Sequence, residues 1–353
     1  MKGFQQMLAA SAVAFAMAAA VSPVSAEIQS EKFKVVGTWH NLSPYYMFEK
    51  PFWEDQLGEL SNGKLSAKIN PITELGLKGF EVARLTKIGV FDVVFGSFGY
   101  VASEAPEIEG ADLSSVSNDF QEGRKLVTAY KGVLDRVFEQ KYGLKFLFAY
   151  PFPSQMIFCS KPVTKLSDLK GKKVRVYATT LGDFVEGLGG TSVTISFAEV
   201  VPALQKGVAD CGITGTMPAY NAKWHEVITH AMKVRVGMGL SFMAMNLKKW
   251  NGLNADTQKF FLDQSARLED EIWAAMEAED EEALRCLSGK GGECSKGTAG
   301  SVVITEPTAE DLSLRKKVLE ESVLKKWAAR CSKQCVANWN ATAGKVAGVS
   351  ARK

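Results

Sequence analysis

The feature that most constrains this chain is a repeated alternation of short apolar runs with amphipathic stretches, interrupted once by Pro151-Phe152-Pro153. Phe33–Gly37, Leu65–Ile69 and Phe91–Phe95 read as strands, the last nearly all apolar and so buried on both faces. Between them, Pro44 to Leu60 and Gly79 to Ile88 carry helical patterns, the first stopped by the turn Ser61-Asn62-Gly63. This β-α-β-α-β order predicts a parallel sheet covered by helices. A helix over about Phe120 to Tyr142 and a strand at Lys145–Tyr150 lead into the proline break, which marks a passage to a second α/β unit. That unit reads as strands at Gln155–Ser160, Lys173–Tyr177, Ser192–Ile195 and Ala209–Ile213, with helices around Thr180–Leu188 and up to Gly207. The apolar run Gly237–Asn246 marks the return.

Two crossings between α/β lobes imply a hinge and a central cleft that closes around a ligand. The expected boundaries are 27–150 plus about 238–277 for lobe I, and 151–237 plus about 278–353 for lobe II. Two long helical patterns, Asn254–Leu287 and Thr308–Asn338, close the chain. Thr308-Ala309-Glu310-Asp311 has the spacing of an N-terminal capping box.

The N-terminus points to export. Lys2 precedes a small-residue apolar run, Met7 to Val21, and Val24 and Ala26 stand at the −3 and −1 places of a signal-peptidase site. Cleavage is expected after Ala26, giving a soluble periplasmic protein. The apolar run is shorter than the ~20 residues of a spanning helix, so no membrane insertion is expected. Hydrophobic residues make up 46% and charged residues 23%, as in an ordinary globular core. A net charge of +3, without any basic block, excludes a nucleic-acid partner. A monomer is expected.

The six cysteines of an exported chain read as disulfides. Cys286 and Cys294 bracket a glycine-rich loop, and Cys331 and Cys335 bracket three residues, so local pairing is simplest. Crossed pairing between the brackets is also compatible with the spacing. Cys159 and Cys211 sit in strand-like segments and are either buried thiols or a third bridge. No histidine accompanies these spacings, so no metal site is expected.

In Lys173-Val174-Arg175-Val176-Tyr177, strand alternation puts Arg175 and Tyr177 on the face opposite Val174 and Val176. An arginine lining a cleft offers a planar fork matched to a carboxylate; on an outer face it is merely solvated. Downstream, Ser196 and Glu199 have capping-box spacing, but Pro202 would kink a helix begun there or force a later start.

The stretch Lys170 to Asp210 resembles the signature region of the substrate-binding subunits of tripartite ATP-independent periplasmic (TRAP) transporters, of the dicarboxylate-binding type. Gly171, Lys173, Arg175 and Val176 match its strand, and Phe197, Glu199, Val200, Ala203, Leu204, Gly207 and Asp210 its following helix. Ser61-Asn62-Gly63-Lys64, Glu74-Leu75-Gly76 and Met245 to Trp250 extend the likeness over the mature chain. The resemblance implies a two-lobed periplasmic binding-protein fold with a hinged cleft and a small organic acid as ligand. It also implies membrane subunits of a TRAP transporter as partners. By the same resemblance Arg175 pairs with the ligand carboxylate and Phe197 packs on the ligand. The resemblance also implies that Glu74, Trp39, His40, Asn41, Ser97 and Phe98 lie toward the first-lobe side of the cleft. Two departures stand out. Ser154-Gln155-Met156 carries no charge where many relatives have a second arginine, and Asp210 is followed by Cys211-Gly212-Ile213-Thr214, which brings Thr214 to the site in place of an acidic motif. One ligand carboxylate is therefore well motivated and a second is not. With Trp39, Tyr45, Tyr46, Phe98, Phe152 and Phe197 near the cleft edges, a monocarboxylate with an apolar or aromatic body is at least as plausible as a C4-dicarboxylate, and both stay open.

Enzyme signatures are absent: there is no G-x-S-x-G elbow, H-E-x-x-H or phosphate loop. His225 and His230 fall five residues apart in a helix-like stretch, which separates them on a helix surface. No catalysis and no cofactor are expected. A ligand sensor docking on a receptor kinase would share the same pocket, and a secreted enzyme on the same scaffold is the remoter alternative.

Overall fold

A computed structural model describes residues 27–294 and 297–353. The expected export signal and its cleavage point after Ala26 lie at or beyond the edge of that range. Two sheets form the molecule. The first contains β1 (Glu31–Gly37), β2 (Leu65–Pro71), β3 (Val93–Ser97) and β4 (Leu144–Tyr150). The second contains β5 (Gln155–Cys159), β6 (Lys173–Val176), β7 (Thr191–Thr194), β8 (Cys211–Gly215) and β9 (His230–Met232). The chain then returns to the first sheet as β10 (Ser241–Asn246) and revisits the second as β11 (Val303–Thr305). The strand orders are β2-β1-β3-β10-β4 and β11-β9-β5-β8-β6-β7.

Both sheets are mixed, where a parallel sheet was expected. β1, β2 and β3 are parallel, but β10 runs antiparallel to β3 and β4. In the second sheet β5 runs antiparallel to β8 and β9, while β6, β7 and β8 are parallel. The reason is topological. A strand that follows a crossing enters its sheet from the cleft, so it must run away from the edge at which its neighbours end. The two crossings are themselves paired: Phe152 N–H donates to Met238 O, Gln155 N–H to Gly237 O, and Val236 N–H to Gln155 O. Asp112 steadies the second crossing by accepting the Met238 and Leu240 N–H groups, and burial raises its pKa to about 6.

β9 and β11, three residues each, are too short to register as periodic patterns. The stretch read as helical around His225 and His230 is instead a 3-10 turn, Trp224–Glu226, followed by β9 carrying His230. Pro202 does force a later start: Phe197–Glu199 is a 3-10 turn and the helix is Val200–Gln205, so the missing N–H falls in the first turn, where no acceptor is lost. The Thr308–Asp311 capping box is formed.

The helix Ala255–Ser288 runs past both sheets as a strut beside the crossings. Trp273 Nε1–H donates to Ala149 O in β4, and Asp280 accepts from Ser154 N–H and from the Ser154 and Thr216 hydroxyls. The segment after 278, expected in lobe II, packs on both lobes. The Ser322 hydroxyl and Arg330 reach Asp183, whereas the Trp327 and Trp339 indole N–H groups donate to Pro106 O and Gly110 O. The disulfides follow the local pairing, Cys286–Cys294 and Cys331–Cys335, and Cys159–Cys211 adds a third bridge between directly paired positions of β5 and β8.

Candidate functional site

Because β1, β3, β6 and β8 all end at the cleft, their last residues and the turns after them converge there, as open α/β sheets require. β1 is followed by Trp39; β3 ends in Ser97 and leads to Tyr100; β6 carries Arg175 and is followed by Tyr177; β8 contributes Thr214. The crossings add Phe152, Gln155 and Gly239. These residues enclose a small cavity of about 30 Å³, so a ligand of more than a few atoms enters only when the lobes part or a wall residue moves.

Arg175 dominates the site. It is 1% exposed, and among the described residues no carboxylate pairs with it. Burial lowers its pKa, and the neighbouring Tyr100 and Tyr177 oppose that shift. Its orientation is held from behind, since Nε–H donates to Ile195 O (2.9 Å) and Nη1–H to Ile213 O (2.8 Å). Nη2 lies 3.5 Å from the Tyr100 hydroxyl. A guanidinium has five N–H donors, so the end of the fork keeps free donors facing the cavity. The Tyr177 ring sits 5.2 Å from the guanidinium carbon.

The walls are aromatic. Trp39 packs edge-on against Tyr100 and Phe197, at 5.5 and 5.6 Å between ring centroids, and Phe197 stacks on Trp224 behind it. Gln155 is the polar group at the crossing. Its Nε2–H donates to Pro153 O, and its Oε1 accepts from the Tyr177 hydroxyl at 2.8 Å. Gly239 has φ +60°, and a Cβ there would fall 2.6 Å from Gln155 Nε2, so the left-handed glycine makes room for that amide.

Of the residues expected at the site, the structure brings Arg175, Phe197, Trp39, Ser97 and Thr214 together around the cavity, with Phe152 beside them. His40, Asn41, Glu74 and Phe98 do not line it. His40 is exposed and bonds through Nδ1 to the Thr73 hydroxyl; Glu74 is exposed; Phe98 is buried in the first-lobe core against Phe242 and Phe138. Tyr45 is likewise core and Tyr46 half-buried. The motif residues divide into two kinds. Arg175 and Phe197 face the cavity, whereas Asp210 accepts the Lys173 N–H and ties β6 to the entry of β8. Glu199 stands at the cleft mouth, where it pairs with Lys78 of the other lobe (2.8 Å). Tyr100 escaped the sequence reading. The available signal was its place just beyond the cleft end of a buried strand.

The sequence profile of the bacterial extracellular solute-binding proteins, family 7 (DctP), matches residues 35–329. The chain belongs to this family. The likeness to TRAP substrate-binding subunits seen in Lys170–Asp210 thus extends over most of the protein. The C4-dicarboxylate-binding periplasmic protein DctP of Rhodobacter capsulatus is 23% identical over 270 residues, 76% of this chain and 78% of its own. An uncharacterized Salmonella typhimurium protein, YiiZ, is 26% identical over 205 residues, 56% of this chain and 62% of its own length. The fold matches that of a TRAP periplasmic solute-binding protein from Desulfovibrio salexigens with bound orotic acid (TM-score 0.80, 18% identity, 89% of this chain and 99% of that one). It also matches DctP6, a Bordetella pertussis receptor binding pyroglutamic acid (0.77, 22%, 88% and 99%). A third match is a Desulfovibrio desulfuricans TRAP protein with bound sn-glycerol 3-phosphate (0.76, 21%, 92% and 99%).

Proposed function

We propose that this family 7 protein is the periplasmic receptor of a TRAP transporter and captures a small monocarboxylate with a compact, flat or apolar body for delivery to the membrane subunits. The observation that carries this reading is Arg175: a buried cation without an acidic partner among the described residues calls for an anion from outside. Its donors to Ile195 O and Ile213 O fix the plane of the guanidinium and leave the end of the fork for one carboxylate. Phe197, Trp39 and Phe152 supply apolar surface for the ligand body, and Ser97, Thr214 and Gln155 supply neutral hydrogen-bonding groups. Among the described residues Arg175 alone brings a cation to the cavity, which disfavours a dicarboxylate.

Two of the fold relatives carry ligands of this class, orotate and pyroglutamate, which are compact, ring-bearing monocarboxylates, whereas the Desulfovibrio desulfuricans protein holds a phosphate ester. The test is a thermal-shift screen of the mature protein with orotate, pyroglutamate, aromatic and hydroxy monocarboxylates, succinate and sn-glycerol 3-phosphate, followed by calorimetry. A true ligand raises the melting temperature with dose. Stabilisation by a monocarboxylate, with little from succinate, supports the reading. Stabilisation by glycerol phosphate or succinate alone would overturn it.

A further inference from the structure

Not all the donors aimed at the ligand position are idle. The Tyr100 hydroxyl oxygen accepts the Phe197 N–H at 2.8 Å and faces Arg175 Nη2 at 3.5 Å. One main-chain N–H and one guanidinium N–H converging on a single oxygen make the environment a carboxylate oxygen would find. Here the oxygen belongs to the protein, and to the opposite lobe: Tyr100 follows β3, whereas Arg175 and Phe197 belong to the second unit. Tyr100 is 3% exposed, and the Arg175 charge and the Phe197 N–H both work against the rise that burial imposes on its pKa.

A second observation concerns access. Tyr100 and Tyr177 form the common wall between the Arg175 cavity and a larger outer chamber at the cleft mouth, bordered by Phe80, Gly99, Thr179 and Gly182. The Tyr100 ring stacks on Phe80, 4.3 Å between centroids and 10° from parallel, and Phe80 is itself 38% exposed. A ring in this position both fills the anion site and closes the route to it, and the ring stacked on its outer side, Phe80, is at the surface.

We infer that Tyr100 is a built-in occupant of the carboxylate position: in the empty protein its phenol oxygen takes the Phe197 and Arg175 donors and holds the lobes together, and an incoming carboxylate displaces it. This deepens the proposed function and rests on Arg175 being the anion site. Binding is then an exchange of acceptors. A ligand must present an oxygen good enough to replace the phenol, which favours a full carboxylate over a neutral carbonyl. The empty closed state also subtracts from the binding-competent population, so removing it cannot weaken binding.

The experiment compares wild type with Tyr100→Phe, which keeps the ring and its stacking and removes only the oxygen. Gly99→Ala serves as an open reference, because a Cβ at Gly99 would fall 2.5 Å from the Ala178 Cβ of the other lobe. Non-thiol spin labels at the exposed Glu59 and Lys206, one on each lobe, report the ligand-free distance distribution. Wild type should contain a short-distance, closed population that Tyr100→Phe depletes toward the Gly99→Ala distribution. In calorimetry with orotate and pyroglutamate, Tyr100→Phe should bind at least as tightly as wild type, within about threefold or better. A ligand-free distribution unchanged by Tyr100→Phe would overturn the inference. So would an affinity lowered more than about tenfold for an acid that binds wild type, since the hydroxyl would then be a ligand contact. If neither acid binds wild type, the proposed ligand class fails while the ligand-free distances still decide the role of Tyr100.

Discussion

The two lobes contribute unlike walls to one cleft. The second carries the charge and is braced: Arg175 is held by two carbonyls, β5 and β8 are bridged by Cys159–Cys211, and all six cysteines lie outside 27–150 and 238–277. The first has no disulfide and offers rings and a tight approach: Trp39, Tyr100 and the bare backbone of Gly99 against Ala178. The difference separates two tasks. Anion recognition needs a fixed geometry, because a guanidinium misaligned by a fraction of an ångström loses its bidentate bonds. Closure needs a surface that can approach and withdraw, and aromatic faces with little polar commitment suit that.

The sharpest way to break this division is Arg175→Ala. The ligand carboxylate would be left unpaired in a buried site, a loss of about 3–5 kcal/mol or roughly two to four orders of magnitude in affinity. The melting temperature of the empty protein should hold or rise, because a buried uncompensated charge is removed. Arg175→Lys should also bind poorly, since an ammonium cannot reproduce the fork. Calorimetry beside thermal melts checks both.

Next in size is removal of the Cys159–Cys211 bridge by a double substitution to alanine. It should lower stability by about 2–4 kcal/mol in denaturant unfolding yet leave affinity within a few-fold, because the bridge braces the recognition wall from outside the cavity. A collapse of affinity with unchanged stability would contradict the assignment of bracing to this pair.

Gly99→Ala tests the first lobe. Its φ is not in the left-handed region, so the extra methyl is opposed by Ala178 and the Tyr177 ring across the cleft rather than by its own backbone. Affinity should fall by roughly tenfold through faster dissociation, while empty-state stability moves by no more than about 0.5 kcal/mol. An unaffected dissociation rate would show that the lobes do not close on this contact.

A separate test is a pH dependence at Glu109. This first-lobe carboxylate accepts the Thr180 N–H and hydroxyl at the start of a second-lobe helix, and burial raises its pKa from 4.5 to about 7. The folded state therefore holds this proton more tightly than the unfolded state does. The contribution is fully present below about pH 4.5 and is lost as pH rises through about 7. Melts from pH 4.5 to 8 should show a decline in wild type that is shallower in Glu109→Gln; parallel curves would exclude the group.

Much of this arrangement was legible in the sequence. Strand alternation alone put Arg175 and Tyr177 on one face, and the proline break and the apolar return stand beside the points where the chain passes from one sheet to the other. What remained hidden depended on long-range placement. The antiparallel runs of β5 and β10 follow from which edge the chain enters, which periodicity does not encode. Phe98 and Tyr100 are two residues apart in one short helix, yet Phe98 enters the core and Tyr100 the cleft. His40 and Glu74 lie near the right strand ends but face solvent, because the turns after β1 and β2 carry them past the cavity.

The central claim is that Arg175 recognises a carboxylate. The most direct test is calorimetry of the wild-type protein with the acid that stabilises it best in the screen and with the corresponding carboxamide, a near-isostere without the charge. The account predicts that the amide loses roughly two orders of magnitude or more in affinity, and that the acid and the amide bind the Arg175→Ala protein equally poorly. An amide bound within about threefold of the acid would contradict it.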